Sequence, residues 1–213
     1  TLEDRVRERT RELQQAKFEI LQLLGRAGEY RDDITGSHTQ RVGQLSGMIA
    51  SRLGLSEPET DRIRRAAPLH DIGKIGIPDD ILLKPGRFEP EEFERMKSHT
   101  TIGGNILEGS SFDVLRLARV IALSHHEKWD GTGYPEGLSG EEIPIEARIV
   151  ALADFYDALT HERPYKQAWT PEEAAAEIER QRGRHFDPRV ADAFLELFRS
   201  GQIDILDQSE SRH

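Results

Sequence analysis

Five of the eight histidines, His38, His70, His99, His125 and His126, form one pattern with Asp71 and Asp154. No other feature constrains the fold as much. These polar side chains are spread from position 38 to position 154, and each is costly to bury without a partner. A fold that gathers them into one interior solves that problem for all of them together. The chain has no cysteine, which excludes a disulfide framework and thiolate chemistry. Neutral imidazole with carboxylate suits first-row divalent metals. Three or four protein ligands plus water complete one catalytic site. Seven ligands, with one carboxylate bridging, suit two ions about 3.5–4 Å apart, a recurring device for phosphate-ester hydrolysis. Taken singly, each histidine reads as an ordinary half-buried residue; the joint pattern predicts a two-metal phosphohydrolase.

Composition narrows the partners. Charged residues make up 32% of the 213 and aromatics 7%, which predicts a helical protein with a solvated surface. The formal net charge of -10 argues against broad binding of DNA, RNA or anionic membranes. An anionic substrate then needs a local cationic site, and metal ions supply one. No stretch approaches the ~18 consecutive apolar residues of a membrane span. No signal peptide is visible, so the expected location is cytoplasmic. The chain opens at Thr1 rather than Met, and a missing N-terminal sensor or receiver domain is expected.

Residues 1–30 differ from the rest. Leu2, Val6, Arg9, Leu13, Ala16, Ile20, Leu23 and Ala27 recur at alternating four- and three-residue steps. That is an a/d seam, apolar except at Arg9, and it predicts a parallel coiled coil joining two chains. The alternative is an amphipathic helix packed on its own domain. Gly25 and Gly28 are expected to weaken the helix and allow a bend.

Downstream the chain reads as successive helices. Ser37 is expected to cap a helix to about Arg52. Ser56 with Glu59 forms a capping box for a helix leading to His70. Glu89-Pro90-Glu91-Glu92 starts a helix toward His99, and another follows from Ile102. Asp113 is expected to cap a buried helix to about His126. A Gly-rich loop spans Trp129–Pro135. Pro144 precedes a helix through Thr160, and helices follow from Thr170-Pro171 and from Asp187-Pro188. No run alternates as a strand does. The fold expected is all-α, a helical bundle with metal ligands at helix ends and on helix faces. On a helix, neighbouring side chains diverge by about 100°, so in His70-Asp71 one residue can face one ion while Asp71 bridges two.

The run His70-Asp71-Ile72-Gly73-Lys74-Ile75-Gly76-Ile77-Pro78 resembles the signature of HD-domain metal-dependent phosphohydrolases. The run His125-His126-Glu127-Lys128-Trp129-Asp130-Gly131-Thr132-Gly133-Tyr134-Pro135 resembles their extended Gly-Tyr-Pro motif. Together they are similar to the HD-GYP family of cyclic di-GMP phosphodiesterases, over roughly residues 29–197. The resemblance implies an HD-domain bundle with an N-terminal signalling helix, and hydrolysis of cyclic di-GMP to pGpG and/or GMP by a metal-bridging hydroxide. It implies two ions per chain, iron or manganese. His38, His70, Asp71 and Asp154 would surround one ion. Asp71, His99, His125 and His126 would surround the other, with Asp71 as the bridge. Lys74 matches the lysine beside the attacking water, and Arg163 and Lys166 match residues that hold substrate phosphates. Gly133 and Tyr134 are expected at the substrate pocket, with a structural turn as the alternative. Lys84-Pro85-Gly86 also matches a family run and is read as a turn.

One departure stands out. Many members carry a glutamate four residues before His38 that helps hold a third metal, and this chain has Ile34 there. Isoleucine cannot ligate, so two ions are expected rather than three. The domain boundaries expected are 1–30 for the helix, 31–206 for the catalytic domain and 207–213 for a disordered polar tail. Two rival readings remain: a signalling module that binds a cyclic dinucleotide or a protein without turnover, and a phosphohydrolase for another cyclic dinucleotide.

Overall fold

The computed structural model describes residues 1–31, 37–161 and 168–203, with Gln14 described by its backbone alone. Ile34, Arg163, Lys166 and the tail from 207 lie outside the described residues. The elements there are all helical: α1 (Leu2–Glu29), α2 (His38–Arg52), α3 (Glu57–Ala66), α4 (Asp79–Leu82), α5 (Pro90–Lys97), α6 (His99–Ile106), α7 (Asp113–Ser124), α8 (Ile145–Thr160), α9 (Pro171–Arg180) and α10 (Pro188–Arg199). Two 3-10 turns, Ala67–Leu69 and Ile72–Gly76, link α3 to α4, and a third covers Gly140–Glu142. None of these helices is long and apolar enough to cross a membrane.

Local chemistry explains most of the boundaries. The Ser56–Glu59 capping box opens α3, with the Glu59 carboxylate accepting from the Ser56 backbone N–H at 2.9 Å. Thr170 with Glu173 does the same for α9, and Pro188 sits at the first position of α10. Asp113 is not the cap of α7: Phe112 holds that place, and Asp113 lies in the first turn, where its charge suits the helix dipole. His99 opens α6 instead of preceding it.

Helix α8 runs through the centre. Ala147, Ile149, Val150, Leu152 and Ala153 are buried and cover most of its circumference, as a core helix requires. Helices α2, α7, α9 and α10 supply Val42, Ile49, Ile121, Ile178 and Phe194 against it. Phe194 is fully buried, and truncating such a side chain to alanine costs about 3–5 kcal/mol.

Helix α1 is continuous from Leu2 to Glu29. Gly25 and Gly28 do not bend it; they are points of close approach. A Cβ at Gly25 would lie 2.6 Å from the Pro68 carbonyl oxygen, and one at Gly28 would lie 3.1 Å from Ile72 Cδ1. The face that docks on the domain carries Leu21, Gly25, Gly28 and Glu29, all buried. The a/d seam is a different face and is exposed, from Leu2 at 78% to Leu23 at 54%. So the helix packs on its own domain at one end and through another stripe than the seam.

Candidate metal centre

The centre lies where α1, α2, the two 3-10 turns, α6, the end of α7 and α8 converge. His70 and Asp71 do not sit on an α-helix. They lie between the turns at 67–69 and 72–76, with Asp71 near φ -102° and ψ 13°. Gly73 makes this placement work. A Cβ there would overlap the His99 carbonyl, so only glycine lets this segment press against α6 and set Asp71 beside His99.

Four imidazoles are oriented the same way. The Nδ1 of His70 is 2.8 Å from the Ala67 carbonyl, and that of His99 is 2.7 Å from the Met96 carbonyl. The Nδ1 of His125 faces the Ile121 carbonyl at 3.1 Å, and that of His38 faces Asp157 Oδ2 at 2.6 Å. A carbonyl accepts only, so Nδ1 of His70, His99 and His125 carries a proton, and Nε2 is the nitrogen left for a metal or, while the ring is protonated, for a carboxylate. These Nε2 atoms point inward. Those of His70, His99 and His125 are buried and make no hydrogen bond among the described residues. Holding a ligating histidine through its other nitrogen is the outer-shell arrangement of metal sites.

The carboxylates face these Nε2 atoms. Asp71 Oδ1 lies 3.2 Å from His99 Nε2 and 3.4 Å from His125 Nε2. Its Oδ2 lies 3.4 Å from His70 Nε2 and 2.8 Å from Lys74 Nζ. Asp71 therefore turns one oxygen to each half of the pocket. Asp154 Oδ1 is 3.3 Å from His38 Nε2 and 3.7 Å from His70 Nε2. Asp154 and Asp157 share a face of α8, three residues apart, so one helix serves both ends of the His38 ring. Arg41 holds Asp157 in turn, its Nε donating at 2.6 Å.

Two sets of potential ligands result. Asp71, His99, His125 and His126 present ligand atoms within 4.8 Å of one another, and so do Glu29, His38 and His70. The donor chemistry fits divalent metal. Six buried nitrogen and oxygen atoms of these residues, including both oxygens of Glu29, have no hydrogen-bond partner among the described residues. Without a cation such a cluster is heavily penalised.

The electrostatics differ across the pocket. Burial works against the charged form of His38, yet Asp154 and Asp157 raise its pKa to about 9. Burial opposes protonation of His70 as well, and Asp71 and Asp154 still lift it well above the ordinary value. Burial lowers His125, and for His126 burial with its imidazole neighbours lowers it further. Burial also acts against the ionised form of Asp71, but Lys74 and His70 hold its carboxyl well below the usual range. Burial pushes Glu29 up to about 7.

The Gly-rich loop walls the imidazole-rich half. The Tyr134 ring stacks on His126 with centroids 4.8 Å apart, and Phe93 meets Tyr134 edge-on at 6.2 Å. Gly131 has φ +78°, a conformation that favours glycine. Gly133 has a different reason: a Cβ there would overlap the backbone of His126 and Lys128. Glu127 clamps the loop, its Oε1 accepting from the Glu136 and Gly137 N–H groups at 2.8 and 3.2 Å.

Residues 29–190 match the HD domain family. The chain belongs to the HD domain family. Its two long motifs and its relatives place it in the HD-GYP branch. A cyclic di-GMP phosphodiesterase from Thermotoga maritima is 57% identical over 84% of this chain and 49% of its own length. A 3′3′-cGAMP-specific phosphodiesterase 2 from Vibrio cholerae is 44% identical over 87% of this chain and 35% of its own. The chain thus spans about half or less of the length of these relatives. The solved structure of a cyclic GMP-AMP specific phosphodiesterase from V. cholerae, V-cGAP3, superimposes with TM-score 0.64 at 22% identity, covering 88% of this chain and 52% of that one. At that identity the likeness speaks for the HD fold alone. HD phosphohydrolases are metal-dependent, and this chain carries a cluster of His, Asp and Glu that can hold metal.

All seven histidines and aspartates expected as ligands fall in this one pocket of the HD domain. Lys74 is there too, on Asp71. Gly133 packs against backbone and Tyr134 against His126. Arg163 and Lys166 lie outside the described residues. Sequence reasoning missed Glu29, which looked like one more charge on an amphipathic helix, and Asp157, the partner of His38. The spacing Asp154-x-x-Asp157 on a helix pointed toward the second; nothing in the sequence set Glu29 apart.

Proposed function

We propose that the chain is the catalytic part of a metal-dependent phosphodiesterase that hydrolyses cyclic di-GMP to pGpG and/or GMP. One observation carries this reading: buried imidazoles fixed through Nδ1 converge by Nε2 on Asp71, which faces both halves of the pocket. The name of the T. maritima relative supports the substrate. His38, His70, Asp71 and Asp154 would hold one divalent ion, and Asp71, His99, His125 and His126 the other, with iron or manganese suiting the donor set. Bound there, the pair would supply Lewis acidity and a nucleophilic water at neutral pH.

The protein's own groups do the rest. Lys74 Nζ, on Asp71 Oδ2, places positive charge at the mouth of the pair, where a phosphoryl oxygen gains charge in the transition state. Asp157 and the carbonyls of Ala67, Met96 and Ile121 fix the imidazole tautomers. Tyr134 stacks on His126 and orients its ring, and Phe93 backs Tyr134 edge-on. Arg163 and Lys166 are assigned by resemblance to the substrate phosphates. Residues 1–30 form the signalling helix, 31–206 the catalytic domain and 207–213 a tail. The seam of α1 pairs two chains below an upstream sensor or receiver domain, in the cytoplasm where a nucleotide messenger is met.

A second reading is a different cyclic dinucleotide, favoured by the 44% identity to the cGAMP-specific relative. The test is anaerobic loading with Fe(II) or Mn(II), elemental analysis, and turnover of cyclic di-GMP beside 3′3′-cGAMP. About two ions per chain and preferential cleavage of cyclic di-GMP are expected. Metal-loaded chain that binds either nucleotide without cleaving it would leave only a binding module.

A further inference from the structure

Glu29 is the last residue of α1 and the most deeply placed charge on that helix, 2% exposed. Both of its carboxylate oxygens are buried without a hydrogen bond among the described residues. Its Oε1 is 3.4 Å from His38 Nε2 and 4.0 Å from His70 Nε2. Those are the two nitrogens that Asp154 Oδ1 also approaches. A buried carboxylate without a hydrogen bond is costly for a fold to carry, and a cation among these donors removes that cost.

Helix α1 is fastened at this point and nowhere else so closely. Gly25 and Gly28 let its last turns lie on the segment that carries His70 and Asp71, touching Pro68 and Ile72. Arg31 then ties the chain just past the helix to the Lys74 carbonyl and, at 2.8 Å, to Asp79. A small axial shift of α1 therefore displaces Glu29 against His38 and His70, whereas Asp154 on α8 stays.

Resting on the metal-dependent reading above, we propose that Glu29 is a ligand of the ion on the His38–His70 side, so that α1 itself contributes to the metal centre. A signal arriving along α1 then acts on the occupancy of that ion directly. The ion on the His99–His126 side has no ligand from α1 and is held independently of it.

The test is titration of the metal-free full chain with Co(II) alone, read by visible absorption and by metal retained after dialysis, for wild type, Glu29→Asp and Glu29→Gln. Shortening the carboxylate by one methylene keeps the charge and withdraws the ligand atom. Both variants should bind one Co(II) as wild type does and the second at least about tenfold more weakly, the lower end of what even outer-shell losses cost. Their absorption should lack the part that wild type gains with the second ion. Circular dichroism identifies any variant that does not fold, and Glu29→Asp, the milder change, then decides. Two ions bound with wild-type affinity by Glu29→Asp would overturn the assignment and leave Glu29 a matter of charge only. A wild type that binds no metal would overturn the phosphodiesterase reading as well, so the two failures are distinguishable.

Discussion

The two halves of the pocket hold similar imidazoles under opposite conditions. Around His38 and His70 stand Glu29, Asp154, Asp157 and one oxygen of Asp71, and these carboxylates overcome burial and keep both rings protonated when no metal is present. Around His99, His125 and His126 a single oxygen of Asp71 faces two of the rings, and burial keeps His125 and His126 neutral. The same ligand type is thus ready on one side and blocked by protons on the other. Metal binding must displace those protons, so the imidazole-rich half should fill first and the acid-rich half should be the conditional one.

Among the described residues Asp71 is the only group shared by both halves, and removing it is the most destructive test of the contrast. Asp71→Ala should empty both halves, with metal content falling below one ion per chain by elemental analysis. Turnover should drop about 10³-fold or more, as when a group acting in concert with others is lost. If the variant kept one tightly held ion, the halves would be independent and Asp71 would not join them.

Lys74 contacts the Asp71 oxygen that faces the acid-rich half, so its removal should change chemistry and spare the metals. Lys74→Ala is expected to lower kcat about 10²-fold, the scale of one lost charge-stabilising donor, with metal content unchanged in the same samples. Wild-type kcat at saturating substrate would remove Lys74 from the mechanism.

The protonation contrast predicts a pH dependence with a definite sign. His38 at about 9 lies above its ordinary 6.5, and Glu29 at about 7 above its ordinary 4.5. Both therefore bind protons more tightly in the folded, metal-free chain. Their contribution to its stability is complete below the ordinary values and is lost as pH rises through about 7 for Glu29 and about 9 for His38. Metal-loaded protein has already given up those protons. The gap in Tm between loaded and EDTA-treated protein should therefore widen from pH 6.5 to pH 9, and affinity for the second ion should rise up to about tenfold per pH unit for each proton released. A constant gap over that range would mean that the two halves do not differ in protonation.

The pattern of what the sequence disclosed follows from the same physics. Capping boxes at Ser56 and Thr170 and the proline start at Pro188 are local, so the helix starts they mark are legible. The wide spread of His38 to Asp154 was legible as one site because nothing else rationalises so many buried polar groups. Three matters were not. His70-Asp71 reads as a helical pair but lies between 3-10 turns, which Gly73 permits by its approach to α6. Gly25 and Gly28 read as weak points in a helix, and only the neighbouring Pro68 and Ile72 show them to be docking points. Glu29 ends a heptad pattern rich in charge, and its burial exists only once α1 meets the turns.

The smallest effect on the pocket and the largest on assembly should come from the far end of α1. That helix is about 42 Å long at 1.5 Å per residue. Its docking contacts lie in the second half: Leu21, Gly25, Gly28 and Glu29, with Arg65 over the Phe18 ring at 5.2 Å and Lys17 over Phe112 at 5.1 Å. Leu2, Val6 and Leu13 are exposed and make an apolar seam interrupted at Arg9. Deleting residues 1–16 removes most of that seam and spares every docking contact. Metal content should stay as in the full chain, and the mass by sedimentation should fall from dimer to monomer at tens of micromolar. A full chain that is already monomeric there would refute pairing through the seam. A deletion that also lowers metal content would show that pairing, and not docking alone, holds Glu29 in the acid-rich half, which would make the contrast between the two halves a property of the dimer.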